Sequence, residues 1–255
     1  MKLLFSEFKS DYSHYIFPYA VWAVPEAGER PSLMFASGFL PSSYNLDRYY
    51  MCRHVRVATA AFSLSSENRR ILRKGGDLSM RLLPKKEFKF TADRLAFCKN
   101  YADAKFGPEV MSTEKLEKLF ASPVCSHILV FTDMSVEREV GYVFLYLDQQ
   151  DAAFYYYSFY DLNHGNKSLG MFMMTSAVVL MQEKKIDNIY LGSCYSRNAL
   201  YKTQFQGCQF WNGFRWSSNL KELKFLIDRD GGEVTKHLLE TPEFADQFYP
   251  EGYEL

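Results

Sequence analysis

The chemistry-bearing residues of this chain gather in three stretches. The first is residues 154–193, FYYYSFYDLNHGNKSLGMFMMTSAVVLMQEKKIDNIYLGS. An aromatic strand is expected to end at Asp161-Leu162, and a polar loop, Asn163 to Lys167, leads into a helix opening at Ser168-Leu169-Gly170. The first amides of a helix lack internal partners and its dipole is positive there, so this end can receive an anion or a polarised carbonyl. The plainer alternative is an ordinary capped helix. The second stretch, LGSCYSRNALYKTQF (191–205), opens from a strand into Gly192, Ser193, Cys194 and Tyr195, then into a short helix bearing Tyr201 and Lys202. Loops at strand ends line clefts between splayed strands. Tyr195 or Tyr201 could donate to a leaving oxygen, and Lys202 could hold an anion. The alternative is an amphipathic surface helix. The third, SSENRRILRKGG (65–76), sets Arg69, Arg70, Arg73 and Lys74 at helical spacing. That is a compact basic face suited to phosphates, or else a solvated helix face.

These residues need elements to hold them. Strands are expected at Tyr15–Val24, Arg53–Ala60, Leu78–Leu83, His127–Asp133, Glu139–Asp148, Ala152–Leu162, Asn188–Cys194 and Phe210–Trp216. Helices are expected at Ser63–Lys74, Thr91–Phe106, Ser112–Phe120, Leu169–Lys184 and Arg197–Phe205, with Ser65 or Ser66, Ser112 or Thr113, and Ser168 as caps. Pro25 to Pro31 reads as a turn. Spacing alone supports an α+β fold with a mixed sheet. Antiparallel strands, a strand–helix–strand unit, then a short helix and strand is the order of an acetyltransferase-like (GNAT) domain. In such enzymes the start of that central helix receives the pyrophosphate of acyl-CoA on a glycine-rich loop. Here the loop has only Gly165 and Gly170, which gives a pyrophosphate cradle little support.

Composition narrows the classes. The 255 residues are 47% hydrophobic, enough for one large core or two modest domains, and 30 basic residues balance 30 acidic ones. No net field draws the whole protein to nucleic acid, although a local patch would serve an acceptor stem. The 22 Phe and 18 Tyr suit strands and a deep, partly polar cleft. Five Cys at wide spacings, without a CxxC pair, fit reduced thiols better than a disulfide framework and leave no readable metal site. The first residues, MKLLFSEFKSDY, are too briefly apolar for a signal peptide, and no apolar run reaches membrane-spanning length. A cytoplasmic protein is expected.

The residues also resemble a known family, the arginyl-tRNA–protein transferases with their bacterial leucyl-transferring relatives. Gly38, Phe39, Cys52, Arg53, Val55 to Val57, Phe62, Ser65, Arg69, Arg70, Leu72, Arg73 and Lys74 follow the pattern of the family's first domain, with its "PVRV"-like strand and Arg-rich helix. Tyr157, Phe159, Tyr160, Asp161, His164, Ser168, Leu169, Gly170 and Phe172 match its "Y-x-F-(Y/F)-D-P-x-(Y/H)-x-x-x-S-L-G-x-(Y/F)". Tyr190, Leu191, Gly192, Tyr201, Lys202 and Phe205 match a third motif downstream. There are departures. The family's cysteine-rich stretch is reduced to Cys52, its Pro after the Asp is Leu162, the second Tyr of its "G-Y" pair is Ser193, and its Pro near Gly207 is missing. They lie around the expected pocket and point to a divergent branch.

The resemblance implies two GNAT-like units, an N-terminal one over 1–76 and a catalytic one over 77–255. It implies transfer of an amino acid, of arginine or leucine type, from tRNA to the amino group of a protein or peptide. Aminoacyl-tRNA is then a co-substrate, and no cofactor, metal or membrane is required. The reaction is aminolysis of an ester, which needs a neutral amine, a stabilised oxyanion and a proton for the leaving hydroxyl. Asp161, Tyr201 and Lys202 are the expected catalytic residues. Tyr157, Phe159, His164, Ser168, Leu169, Gly170, Tyr190, Ser193 and Tyr195 are expected at the substrate. Arg53, Arg69, Arg70, Arg73 and Lys74 are expected on tRNA phosphates or an acidic acceptor terminus. The alternatives are an acyl-CoA-dependent N-acyltransferase and a non-catalytic relative that binds tRNA or peptide.

Overall fold

A computed structural model describes residues 1–149, 151–165 and 168–253. Asn166 and Lys167 of the expected polar loop lie outside the described residues. In chain order, β1 (Lys2–Glu7) and β2 (Tyr19–Val24) form a hairpin, and α1 (Pro31–Ala36) follows. Then come β3 (Phe39–Pro41), β4 (Tyr49–Met51) and β5 (His54–Ala58). The basic helix is α2 (Ser66–Lys74). Its cap is Ser65, whose hydroxyl accepts from the Asn68 N–H while Asn68 reaches back to the Ser65 N–H, a reciprocal capping box. β6 (Leu78–Pro84), α3 (Ala92–Phe106, capped by Thr91) and α4 (Thr113–Ala121, capped by Ser112) lead into three long strands. These are β7 (His127–Asp133), β8 (Arg138–Asp148) and β9 (Ala152–Tyr160). The chain closes with α5 (Leu169–Glu183), β10 (Asn188–Ser193), β11 (Cys208–Trp211), β12 (Trp216–Ser217), α6 (Leu220–Asp230) and α7 (Pro242–Phe248). The expected helix at Arg197–Phe205 is a 3-10 helix, Arg197–Thr203.

The large sheet has eight strands in the order β12-β11-β5-β10-β9-β8-β7-β6. All its neighbours pair antiparallel except β9 and β10, which run parallel across the α5 crossover. This is the mixed sheet with flanking helices expected of an acetyltransferase-like unit. Alternation along the strands divides the core in two. Leu129, Val143, Leu145, Ala153, Tyr155 and Ile189 face α5, which is apolar nearly all round because it is buried there with α2 beside it. Ile128, Val130, Tyr142 and Phe144 face α3 and α4 on the opposite side.

A second sheet, β1-β2-β4-β3, lies over the N-terminal residues. Phe35 of α1 links it to the large sheet, stacking on Tyr190 at 5.2 Å and packing against Tyr146 and Phe154. Arg30 bonds Asp148 at the same junction. Both β5 and β6 belong to the large sheet, so a boundary after residue 76 divides strands of one sheet. Among the described residues the parallel crossover occurs once.

Candidate active site

Two irregularities open a cleft in the middle of the large sheet. The parallel pairing of β9 with β10 covers only Ala152–Phe154 and Asn188–Tyr190. Beyond it the register of β10 against β5 shifts between Tyr190 and Gly192, and Gly192 takes a φ of +85°. Glycine occupies that left-handed region without the steric cost a Cβ brings. β9 carries its own irregularity. Phe144 pairs with Tyr157 and Leu145 with Tyr155, so Tyr156 is an extra residue. The bulge reverses the alternation of β9. Ala153 and Tyr155 face α5, whereas Phe159 packs with the α3–α4 side. The two strands part at these bulges and leave a cleft of about 870 Å³.

Tyr155, Tyr157, Leu191 and Ser193 line it from the parted strands. Trp22, Tyr44 and Tyr50 close it on the N-terminal side, and Tyr101 and Phe106 on the α3 side. Tyr201 and Lys202 enter from the 3-10 helix. Among the described residues that line it, Lys202 carries the one charge and none is a carboxylate. Its Nζ donates to the Ser193 carbonyl at 2.8 Å. Burial pulls the Lys202 pKa below that of an ordinary lysine, against the opposing influence of the neighbouring Cys194 and Cys52. Burial raises the pKa of the Tyr155, Tyr157 and Tyr201 hydroxyls, so they remain donors at neutral pH. It also raises Cys194 and pushes Cys52 up to about 12, which disfavours the thiolate form at both.

The expected site residues divide between this cleft and other places. Tyr157, Ser193, Tyr201 and Lys202 meet in it. Asp161 does not line it. Its carboxylate pairs with Arg138 at 2.7 Å and accepts the Asn163 N–H, which fixes the turn after β9. Phe159, Leu169 and Tyr190 are core residues, with at most 2% of their surface exposed, and none of them lines the cleft. Gly170 lies against the ring of Tyr160, which covers the start of α5. His164 and Ser168 line a separate hollow of about 530 Å³ with Lys74, Asp77 and Asp133, where His164 Nε2 is 2.9 Å from Asp133. Tyr195 lines a third hollow, beside Asp228 and Asp230. Arg53 sits at Tyr195 with its guanidinium on Asp230 at 2.8 Å. Arg69, Arg70, Arg73 and Lys74 are exposed on α2. Trp22, Tyr44, Tyr50 and Tyr101 went unnoticed in the sequence, because no spacing ties them to Lys202 and only the packed sheet brings them together.

No family model matches the chain. Curated proteins do, among them one from Ruegeria pomeroyi, 23% identical over 77% of this chain and 70% of its own length, and one from Chromobacterium violaceum, 25% identical over 68% and 71%. Both are named aspartate/glutamate leucyltransferase. The chain is thus similar to leucyltransferases. The leucyltransferase of a second Ruegeria strain is 24% identical over the same 77% and 70%. Among solved structures, the C-terminal domain of a putative lysylphosphatidylglycerol synthetase from Agrobacterium fabrum covers 69% of this chain at 12% identity, with 63% of its own length covered and a TM-score of 0.46. L-PGS from Bacillus licheniformis covers 55% at 11% identity, with 44% of its own length covered and a TM-score of 0.44. Among the described residues no helix is long and apolar enough to cross a membrane, and no group of three or more His, Cys, Asp or Glu could hold a metal ion.

Proposed function

We propose that this chain transfers an aminoacyl group from a charged tRNA to the amino group of a protein or peptide, in the cleft between β9 and β10. The observation that carries this reading is the partly buried Lys202 ammonium held on Ser193 where the two strands part. The similarity to leucyltransferases supports the same class of reaction. An acceptor amine attacks the ester carbonyl, negative charge develops on its oxygen, and the ribose hydroxyl leaves with a proton. An ammonium has three donors. One is taken by Ser193, so the others can meet the oxyanion or the leaving oxygen, in a site where burial strengthens the interaction. Tyr201 lines the same cleft, and its hydroxyl offers a second donor. The C–N bond forms as the ester C–O bond breaks, the amine loses one proton and the leaving oxygen gains one, and because the amine attacks directly no covalent enzyme intermediate is required. The cleft holds and orients the two substrates, which suffices for much of the rate of an already activated ester.

The transferred residue we assign is of the leucine type. A guanidinium in this cleft would find no carboxylate and would face Lys202. The acyl-CoA alternative is disfavoured at the start of α5. The hollow there sets Asp77 and Asp133 beside Lys74 and His164. Hydrogen bonds from Ser135, then His164, push Asp133 down to about 2, so a pyrophosphate drawn to Lys74 would also meet ionised carboxylate. Incubation with a full set of charged tRNAs and candidate peptides, with products read by mass, tests the proposal. Leucine added to a peptide amine is the expected result. Tight acetyl-CoA binding by calorimetry, with none of charged tRNA, would sink it.

A further inference from the structure

Arg53 lies at the entry to β5, yet most of its contacts are with the segment that leads to Lys202. Its carbonyl accepts the Cys194 N–H at 2.8 Å, and its own N–H donates to the Tyr195 hydroxyl at 2.8 Å. Its guanidinium stands 5.0 Å from the centre of the Tyr195 ring and donates to Asp230, the last residue of α6, at 2.8 Å. Two residues on, Arg197 forks onto Asp228 of the same helix end at 3.0 and 2.8 Å. Lys202 closes the segment by reaching back to Ser193. The stretch from Ser193 to Lys202 is therefore tied to β5 and α6 at its start and to itself at its end. The Arg53 side chain is only 12% exposed and already paired. A phosphate would have to displace Asp230 to reach it.

We infer that Arg53 is a positioning residue, which holds Lys202 at the cleft through Tyr195 and Asp230 rather than contacting nucleic acid. The assignment rests on the proposed reaction for its catalytic consequence, but its geometric content can be read without any tRNA. Trinitrobenzenesulfonate modifies neutral lysine amines, and peptide mass reports the rate at Lys202 alone. Arg53→Met and Asp230→Asn are each expected to change that rate in the native protein by severalfold, and Arg53→Lys to restore it. With charged tRNA, both variants are expected to lower kcat by about tenfold. KM and the salt dependence of tRNA binding should stay unchanged, and the double variant should be no worse than either single one. If Arg53→Met fails to fold, Asp230→Asn and Tyr195→Phe carry the same test with smaller changes. Lys202 modification unaltered in every folded variant overturns the inference, even if no tRNA proves to be a substrate. So does a loss of tRNA affinity with a flatter salt slope and unchanged kcat.

Discussion

The Lys202 ammonium donates to the Ser193 carbonyl at 2.8 Å, beside Gly192, where β10 turns from β9 toward β5. The cation is thus fixed to the strand end that forms the cleft wall, and the bulge that opens the cleft also aims the charge into it. Lys202→Met removes the charge and keeps most of the stem. Loss of a preorganised donor at a developing oxyanion typically costs 10²–10³ in kcat, so a fall of about that size is expected, with a smaller change in KM. Steady-state transfer from charged tRNA measures it. The pH profile carries the same signature. In the proposed reaction the active form is the ammonium, present below the Lys202 pKa and lost above it. Burial lowers that pKa, so the alkaline limb should fall at a lower pH than for an exposed lysine. An alkaline limb unchanged in Lys202→Arg would contradict the assignment, because arginine does not titrate there.

Gly192→Ala separates the bulge from the charge. At φ +85° a Cβ is strained, at a cost of about 1–2 kcal/mol, or a drop in Tm of roughly 2–4 °C per kcal/mol in a chain of this size. The new methyl would also stand 3.5 Å from Lys202 Nζ. A modest fall in Tm with a larger fall in kcat is expected. Thermal unfolding and transfer rates on the same preparation check it, and a loss of stability with intact transfer would show that the bulge only shapes the sheet.

His54 makes acid stability measurable. It is fully buried beside Trp216, stacked at 5.0 Å, and burial, reinforced by Arg56, lowers its pKa from 6.5 to about 3. The folded state keeps it neutral between those values while the unfolded chain takes up a proton. Stability from this residue is therefore complete above about pH 6.5 and is lost as pH falls toward 3, at up to about 1.4 kcal/mol per pH unit. In His54→Gln the difference from the parent should shrink over that window. Urea unfolding at several pH values reads it, and parallel curves for the two proteins would rule out the buried neutral imidazole.

The sequence showed the long elements and missed those whose stability is tertiary. β7 has the expected bounds, and β8, β9, α3, α4, α5 and β10 differ from theirs by one or two residues, because strong periodicity and capping residues such as Thr91 and Ser112 set them locally. β1, α1, β3, β4, α6 and α7 were not expected. α1 begins at Pro31 inside a stretch read as a turn, and β3 and β4 have three residues each, too few for alternation to register. The candidate cleft was half legible. The strand-end loop and its helix displayed Tyr201 and Lys202. Asp161 stood in the better motif match, but the Tyr156 bulge and the pairing with Arg138 leave it at the turn, outside the cleft. A bulge changes which face a residue occupies without leaving a mark in composition.

The basic helix gives the test that separates tRNA binding from a solvated face. Its four cations are exposed but not equivalent. Arg70 forks onto Glu67, with Nε at 2.7 Å, and that partner already offsets its charge. Arg69 donates to the Leu64 carbonyl. Arg73 makes no ion pair among the described residues and lines a shallow surface hollow with Arg69 and Leu72. If α2 follows the acceptor-stem backbone, affinity for tRNA should fall with salt by roughly 0.7–0.9 log units per contact for each log unit of salt. Arg73→Glu should then flatten that slope by about one contact and weaken every tRNA alike, because phosphates carry no sequence information. Arg70→Glu should do less, since Glu67 already competes for that guanidinium. The ranking matters more than either value. Equal effects would mean that Glu67 swings away on binding, and Glu67→Gln would then raise affinity in the parent. If neither reversal changes binding or its salt slope, while preference for acidic peptide termini disappears, the helix recognises the acceptor. If neither property moves, α2 is a solvated face whose buried side, Ile71 and Asn68, explains its place in the fold.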